Sequence, residues 1–312
     1  MYQDLRVAAV VPAYKEQAHI ADVIASMPDL VDLVVVVDDC SPDDTAARAR
    51  EAADARTHVI SLAENQGVGG AILAGHRLAL DLGADVMVVM AGDGQMDPDY
   101  LPALLEPIAA GRAQFTKANR FYGRGSFAGM PKLRVFGNIV LSFLTKASSG
   151  YWNLFDPQNG YTAIHRDALV RIPWDQIARR YDFENDLLIN LNILRVPAVD
   201  VPVPARYGTE VSGMNLATVG PRIAMRLVRG FWTRMWWKYV LQSFSAVALL
   251  FFSGLALVGF GLLVGTWILF ETLGPPIASP GTVILCVAPL LSGVHMLLFA
   301  MLLDIQESAP RA

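Results

Sequence analysis

Hydrophobic positions along this chain fall into three successive patterns. Short runs rich in Val and Ile at 6–11, 33–37, 58–62 and 86–90 predict buried strands. Between them, 16–27, 43–53 and 70–82 carry helical spacing with much Ala and Leu. Such alternation predicts a mostly parallel sheet with helices on both faces. Past Gly111 the rhythm loosens: 115–118 and 199–203 read as strands, 131–147 and 183–194 as helices, and 123–129 as a Gly-rich loop. A second pattern covers 218–240, where Met225, Leu227, Val228, Phe231, Trp232, Met235, Trp236 and Trp237 interleave with basic residues. Trp and Arg at helical spacing suit the headgroup layer of a bilayer. The third pattern is two almost wholly apolar runs, 244–270 and 283–303. Each exceeds the roughly 20 residues that a membrane-crossing helix needs.

These patterns predict an α/β catalytic domain over 1–213, a juxtamembrane amphipathic segment over 214–240, two transmembrane helices within 241–303 and a tail from 304 to 312. Composition agrees with a mixed protein. At 54% hydrophobic and 17% charged, the 312 residues are too apolar for an average soluble domain and too charged for a pure transporter. The net charge of −4 matters less than its placement. Arg222, Arg226, Arg229, Arg234 and Lys238 form a cluster without an acid just before the first apolar run, whereas 271–282 has no Lys or Arg. The positive-inside rule then puts the catalytic domain and the tail on the cytoplasmic side of the membrane, which in a bacterium is the inner or plasma membrane. No signal peptide is expected, because the apolar stretch 7–11 is too short. Cys40 and Cys286 offer no disulfide framework, and the five histidines are scattered. An enzyme tied to a membrane suggests that one substrate resides there.

In open α/β sheets ligands bind beyond the carboxyl ends of the strands. Here those ends carry Pro12-Ala-Tyr-Lys-Glu16, Asp38-Asp-Cys-Ser-Pro-Asp-Asp-Thr45, Glu64-Asn-Gln-Gly-Val-Gly-Gly70 and Ala91-Gly-Asp-Gly-Gln-Met-Asp-Pro98. In an extended segment, residues two apart share a face, so Asp93 and Gln95 converge, with Asp97 next on that face. Their oxygens suit a hard cation, Mg²⁺ or Mn²⁺, that also takes substrate phosphates. Asp97 has a second reading, as an N-cap with Pro98 at the first helical position. Asp38 and Asp39, at a strand end, suit hydroxyls or a base edge. The glycines at 67, 69, 70 and 75 lack dinucleotide-fingerprint spacing and read as a tight turn with close helix–sheet packing.

The four loops together resemble glycosyltransferase family two, whose fold is GT-A. Asn119-Arg-Phe121, Asp156-Pro-Gln-Asn-Gly-Tyr161, Tyr181-Asp-Phe-Glu-Asn-Asp186 and Arg206-Tyr-Gly-Thr-Glu-Val-Ser212 narrow the likeness to the polyprenyl-phosphate glycosyltransferases. The likeness extends over about residues 6–240 in motif order, and the two-helix tail fits the bacterial members. It implies a nucleotide-sugar donor (a UDP-sugar, with GDP-mannose the alternative), a polyprenyl-phosphate acceptor and an inverting transfer that makes a lipid-linked sugar. Nucleotide contacts would fall on Pro12, Tyr14, Glu16 and Asp39, with Asp38 beside them. The metal would rest on Asp93 and Gln95. Many members carry an Asp two residues before Asp93, where this chain has Ala91.

A polyprenyl phosphate needs no general base, since its oxygen is already anionic. It needs cations that hold it against the donor diphosphate. Arg120, Lys132, Arg134 and Arg206 are the candidates, with Asn138 one helical turn from Arg134. Arg206 falls to the donor diphosphate, while Glu184 and Asp186 border the sugar. Asp93, Asp186, Arg134 and Arg206 form the expected catalytic set. A homo-oligomer packed through the membrane helices is expected, and no nucleic-acid partner. Two rivals remain. A processive polysaccharide synthase normally carries Q-x-x-R-W, and Gln176-Ile-Ala-Arg179-Arg180 lacks the tryptophan. A non-catalytic sugar-binding partner rests only on Ala91.

Overall fold

The computed structural model describes residues 1–121, 132–156, 159–180, 182–204, 216–271 and 279–308, with the side chains of 132–136, 138 and 216–222 outside that description. Two compact units divide the chain after Phe231. The first holds strands β1 (Val7–Ala13), β2 (Leu33–Asp38), β3 (Thr57–Ser61), β4 (Val86–Val89), β5 (Phe115–Asn119), β6 (Thr162–His165) and β7 (Ala198–Pro202). They form one sheet in the order β3-β2-β1-β4-β6-β5-β7. β6 runs antiparallel to β4 and β5; the other pairs are parallel. The mostly parallel sheet expected from the Val-rich runs is therefore present, with one short reversed strand that the loosened rhythm after Gly111 concealed.

The helices of this unit are α1 (Ile20–Ala25), α2 (Thr45–Glu51), α3 (Val68–Asp81), α4 (Leu101–Ala109), α5 (Lys132–Ser149), α6 (Arg166–Leu169), α7 (Phe183–Ile193) and α8 (Leu216–Arg234), the last crossing the unit boundary. Successive strand residues point to opposite faces, so each strand feeds two cores. Ala8, Val10, Val35 and Val37 pack with Ala71, Ile72, Leu187 and Leu188. Val7, Ala9, Val11, Val34 and Val36 pack with Ile20, Val23, Leu101 and Leu105. α1 is shorter than the expected 16–27. Lys15 adopts a left-handed φ of 63° and the Glu16 N–H goes to Thr45 Oγ1 at 2.9 Å, so the chain is not helical there. α2 begins late for a related reason, because Asp43 Oδ1 accepts from the N–H of Thr45.

α5 is inside-out. Ser142, Thr145, Ser148 and Ser149 are buried, while Ile139 and Phe143 are 50% and 52% exposed. Its polar face meets protein: Ser148 Oγ donates to the carbonyl of Leu227 in α8 at 2.7 Å. Gly230 of α8 sits where an added Cβ would lie 2.2 Å from Ile189 Cδ1 of α7. Met225 and Val228 of α8 point outward.

The second unit contains a π-helical segment, Met235–Leu241, followed by α9 (Ala246–Glu271) and α10 (Pro280–Glu307). Both helices are long and apolar enough to cross a bilayer, with mean hydropathy of 2.5 and 2.3 over their most apolar windows. Small residues let them approach closely: an added Cβ on Gly254 would lie 2.9 Å from the Gly293 carbonyl oxygen. Arg234, fully buried, makes a two-pronged pair with Asp304 at 2.6 and 3.0 Å. Tyr239 donates to the same carboxylate at 2.5 Å. A buried charge is tolerated only when paired and hydrogen-bonded, and this constellation fixes the end of α10 to the segment before α9.

Gly75 decides how closely α3 lies on the sheet. A Cβ there would fall 2.3 Å from Val10 Cγ1 and 3.1 Å from Val37 Cγ2. Ala normally stabilises a helix interior by about 1 kcal/mol over Gly, but overpacking costs about 1–3 kcal/mol. Gly75→Ala is therefore expected to lower the thermal midpoint of the purified chain; a raised midpoint would show that α3 has slack against β1.

Candidate active site

β1 and β4 are neighbours, and from them the chain continues towards opposite edges of the sheet, to β2 and to β5, which makes this the switch point where open α/β sheets bind ligands. The loops after them touch: the Gly92 N–H donates to the Pro12 carbonyl at 3.2 Å. An added Cβ on Gly92 would lie 3.3 Å from Ala13 Cβ and from Glu16 Cγ. The loop after β2 joins them through Lys15 N–H to Ser41 Oγ at 3.1 Å. Tyr14 is exposed on the rim. An open cleft of about 440 Å³ is lined by Lys15, Glu16, His19, Pro42 and Asp43. Pro12, at the end of β1, Tyr14 and Glu16 after it, and Asp93 and Gln95 after β4 are thus brought together at one end of the sheet.

Asp38 and Asp39 are both buried, and each serves the backbone. Asp38 Oδ1 accepts from the Ser41 N–H at 3.1 Å. Asp39 takes the N–H groups of Gln66 and Gly67, one on each oxygen, at 2.7 and 2.8 Å. Gly67 caps α3 with a φ of 84°, and added Cβ atoms on Gly67 and Gly69 would strike the 179–183 segment at 2.7 Å. The glycine cluster is therefore a close-packing device, as its spacing implies, and Asp39 clamps it. The clamp extends onward: Arg179 Nη1 donates to Gln66 Oε1 at 2.9 Å, and its carbonyl accepts from the Gly70 N–H.

The acidic loop after β4 is not extended. Residues 92–94 form a turn with Gly94 at a φ of 72°, closed by Asp93 Oδ1 accepting from the Gln95 N–H at 2.9 Å. The alternation that would align Asp93, Gln95 and Asp97 on one face does not apply, because glycine on both sides of Asp93 favours a turn. Asp97 is an N-cap, accepting from the Asp99 N–H at 3.1 Å, with Pro98 at the first position of a short 3₁₀ turn. Among the described residues no cluster of three or more His, Cys, Asp or Glu could hold a metal. The donor set still fits a hard cation, which commonly rests on one or two carboxylates and completes its shell with substrate phosphates and water. Asp93 is the half-exposed carboxylate at the switch point, and the Gln95 side chain is exposed beside it.

Opposite this loop lies a polar cluster that the sequence reading largely missed. Arg120 grips the buried Asp156 with Nε at 2.7 Å and Nη2 at 3.0 Å. Its fork thus holds Asp156, at the start of the loop leading to β6, rather than pointing unpaired at an acceptor. Lys117, also buried, donates to the Asn159 carbonyl. Tyr161 Oη donates to the Asp97 carbonyl at 3.0 Å, which ties this loop to the acidic one. Asp200, opposite Lys117 in β7, accepts from Phe155 N–H at 2.6 Å and Asn119 Nδ2 at 2.9 Å. Its other oxygen is buried without a hydrogen-bond partner among the described residues. Charged residues inside the apolar runs of β5 and β7 were the available signal, since a buried Lys or Asp requires partners.

Asp186, buried in the first turn of α7, accepts from the Ala178 N–H at 2.8 Å. Burial pushes its carboxyl up, while the Ala178 N–H and the Arg226 guanidinium of α8 oppose that. Glu184 is also pushed up by burial, opposed by Lys117. Lys132, Arg134 and Asn138 fall in α5 with side chains outside the described residues, and Arg206 and the glycines of 123–129 lie outside them too.

Burial raises Asp200 from an ordinary carboxylate value to about 6. The folded protein therefore holds a proton there that the unfolded chain has lost, and stability contributed by the neutral form declines as pH rises from about 4 to about 6. Asp200→Asn removes that ionisation. The pH-dependent part of the stability difference, variant minus wild type, should grow across this window by up to about 3 kcal/mol, at 1.36 kcal/mol per pH unit. A pH-independent difference in chemical unfolding would mean that Asp200 titrates normally.

The chain matches the Glycosyl transferase family 2 model over residues 8–172. It is 33% identical to an undecaprenyl-phosphate mannosyltransferase of Micrococcus luteus, over 64% of this chain and 83% of that protein. It is 29% identical to a UDP-N-acetylglucosamine–dolichyl-phosphate N-acetylglucosaminyltransferase of Methanococcus voltae, over 72% of this chain and 96% of that protein. In fold it is similar to glucosyl-3-phosphoglycerate synthase from Mycobacterium tuberculosis, solved with Mn²⁺, UDP and glucosyl-3-phosphoglycerate. The TM-score is 0.55 and the identity 24%, over 74% of this chain and 80% of that one. The sheet described above is thus a GT-A fold, and the chain belongs to glycosyl transferase family 2.

Proposed function

We propose that this enzyme transfers a hexose from a nucleoside-diphosphate sugar to a polyprenyl phosphate, with inversion, at the cytoplasmic face of a membrane. The observation that carries the lipid acceptor is the seat of α8. This helix leads towards the apolar hairpin, exposes Met225 and Val228, and packs against α5 and against α7, the helix whose first turn carries Asp186. The outward apolar face of α5 points the same way, since apolar residues outside and serines inside suit lipid rather than water. The names of the Micrococcus and Methanococcus relatives, both transferases to polyprenyl phosphates, support the reading. A UDP-sugar is favoured as donor and GDP-mannose is the alternative.

The chemistry follows from the charges. A phosphate oxygen of the lipid forms the new bond to the anomeric carbon as the bond to the diphosphate breaks, and the nucleoside diphosphate leaves with the electron pair. No proton need be removed from the acceptor. Pro12, Tyr14 and Glu16 line the nucleotide end, beside the strand end whose loop Asp38 and Asp39 shape. Arg206 belongs with the donor diphosphate, and Lys132, Arg134, Asn138 and Arg120 with the lipid phosphate, Arg120 while held by Asp156. Asp186 borders the sugar or acceptor. A divalent cation on Asp93 and Gln95, as Mn²⁺ accompanies UDP in the fold relative, would offset the charge of the leaving diphosphate.

Labelled UDP-glucose, UDP-N-acetylglucosamine and GDP-mannose, each incubated with undecaprenyl phosphate and Mn²⁺, Mg²⁺ or EDTA, test this. One donor should give an organic-phase product that EDTA abolishes, and Asp93→Asn should lower its rate by roughly 10–100-fold. No organic-phase product from any donor, with the protein folded, would contradict the reading.

A further inference from the structure

The basic residues of α8 read from sequence as partners for lipid headgroups. Arg226 faces inward instead, as Arg234 does at the end of the helix. Arg226 Nε donates to Asp182 Oδ2 at 2.8 Å, and its Nη2 stands 3.7 Å from Asp186 Oδ2. Asp182 and Asp186 are one helical turn apart, so a single guanidinium spans both carboxylates. The contact to Asp182 is a charge-assisted hydrogen bond; that to Asp186 is too long to be one and acts through the field. We infer that Arg226 is a positioning residue for Asp186, setting its charge and orientation from the helix that leads to the membrane. This rests on the reading that Asp186 borders the transferred sugar or the acceptor.

Three features support it. First, the Asp186 side chain is only 10% exposed and water cannot neutralise it, so its ionised form depends on local partners. The charged groups around it are Arg226 and Arg229 on α8, which favour ionisation, and Asp182 just before α7, which opposes it. Removing Arg226 therefore removes positive charge from a carboxylate that burial already pushes up.

Second, the hydrogen bond to Asp182 fixes where the guanidinium sits. Asp182 immediately precedes α7, and Arg226 joins it to α8 beside the Leu227 and Gly230 contacts with α5 and α7. Nη2 reaches Asp186 only when α8 is seated against both helices. A helix shaped to meet lipid thereby reports its seating to a carboxylate in the site.

Third, the carboxylate oxygen that Arg226 approaches is also held by the backbone. The Ala178 N–H binds Oδ2, and Arg179 and Arg180 bond Gln66 and Asn65 of the loop that Asp39 clamps. Asp186 Oδ2 is thus shared by a backbone N–H tied to the loop that Asp39 clamps and by a guanidinium carried on α8.

The test is transfer to undecaprenyl phosphate by the full chain in detergent from pH 5 to 9, with UDP-glucose, UDP-N-acetylglucosamine and GDP-mannose in parallel. Arg226→Gln should lower kcat roughly tenfold or more and move the acidic limb of the kcat profile up by about one pH unit, with the donor KM little changed. Arg226→Lys should return the limb towards the wild-type position, since charge is restored, while recovering only part of kcat. Combined with Asp186→Asn, Arg226→Gln should add no further loss. If Asp186→Asn is inactive but Arg226→Gln keeps the wild-type acidic limb, the inference is overturned while the reading of Asp186 stands. If Asp186→Asn turns over normally, or wild type gives no transfer, the underlying reading falls and takes the inference with it.

Discussion

A buried carboxylate at the end of a central strand organises this site. Asp39 accepts one backbone N–H on each oxygen, from Gln66 and Gly67, and so holds the start of α3 against the end of β2. A charge buried without such partners would be costly, and two N–H groups at a helix start are well suited to supply them. From this clamp a line of contacts runs across the molecule. Gln66 and Asn65 receive Arg179 and Arg180, Ala178 binds Asp186, and Arg226 joins α7 to α8. Loops that leave strands far apart in sequence are held to one geometry by hydrogen bonds between them.

The other half of the rim depends on a costlier arrangement. Lys117, Asp156 and Asp200 are charges inside or beneath the sheet, and Arg120, Asn119 and Asn159 supply their partners. Burial opposes ionisation of Lys117 and of Asp200 alike. What this cluster provides is fixed positions for Asp156 and Asn159, and Tyr161 is in turn tied to the acidic loop after β4. Preorganised polar groups of this kind avoid reorganisation when charge moves during a reaction.

Much of this was legible in the sequence, and the exceptions have physical causes. Val-rich strands buried on both faces are unambiguous, so β1, β2 and β4 and the loops after them could be read directly. Asp97 with Pro98 announced a cap, and the glycines at 69 and 75 announced close packing. β6 was missed because four residues, Thr162–His165, are too few to show a period. Alignment of Asp93 with Gln95 was misjudged because a strand period was extended into a glycine turn. Arg120 read as an unpaired cation, since nothing local reveals a partner such as Asp156, 36 residues away. The inversion of α5 was hidden too: its sequence is amphipathic either way, and only the fold determines which face meets protein.

The central claim is that this site works on a lipid phosphate presented at α5 and α8. Photo-crosslinking of the full chain in liposomes with a diazirine-bearing polyprenyl phosphate, followed by peptide mapping, tests it most directly. The account predicts adducts on the outward face of α5, around Ile139 and Phe143, and on α8 around Met225 and Val228, suppressed by unlabelled undecaprenyl phosphate. Adducts confined to α9 and α10, or labelling that unlabelled lipid does not suppress, would contradict it.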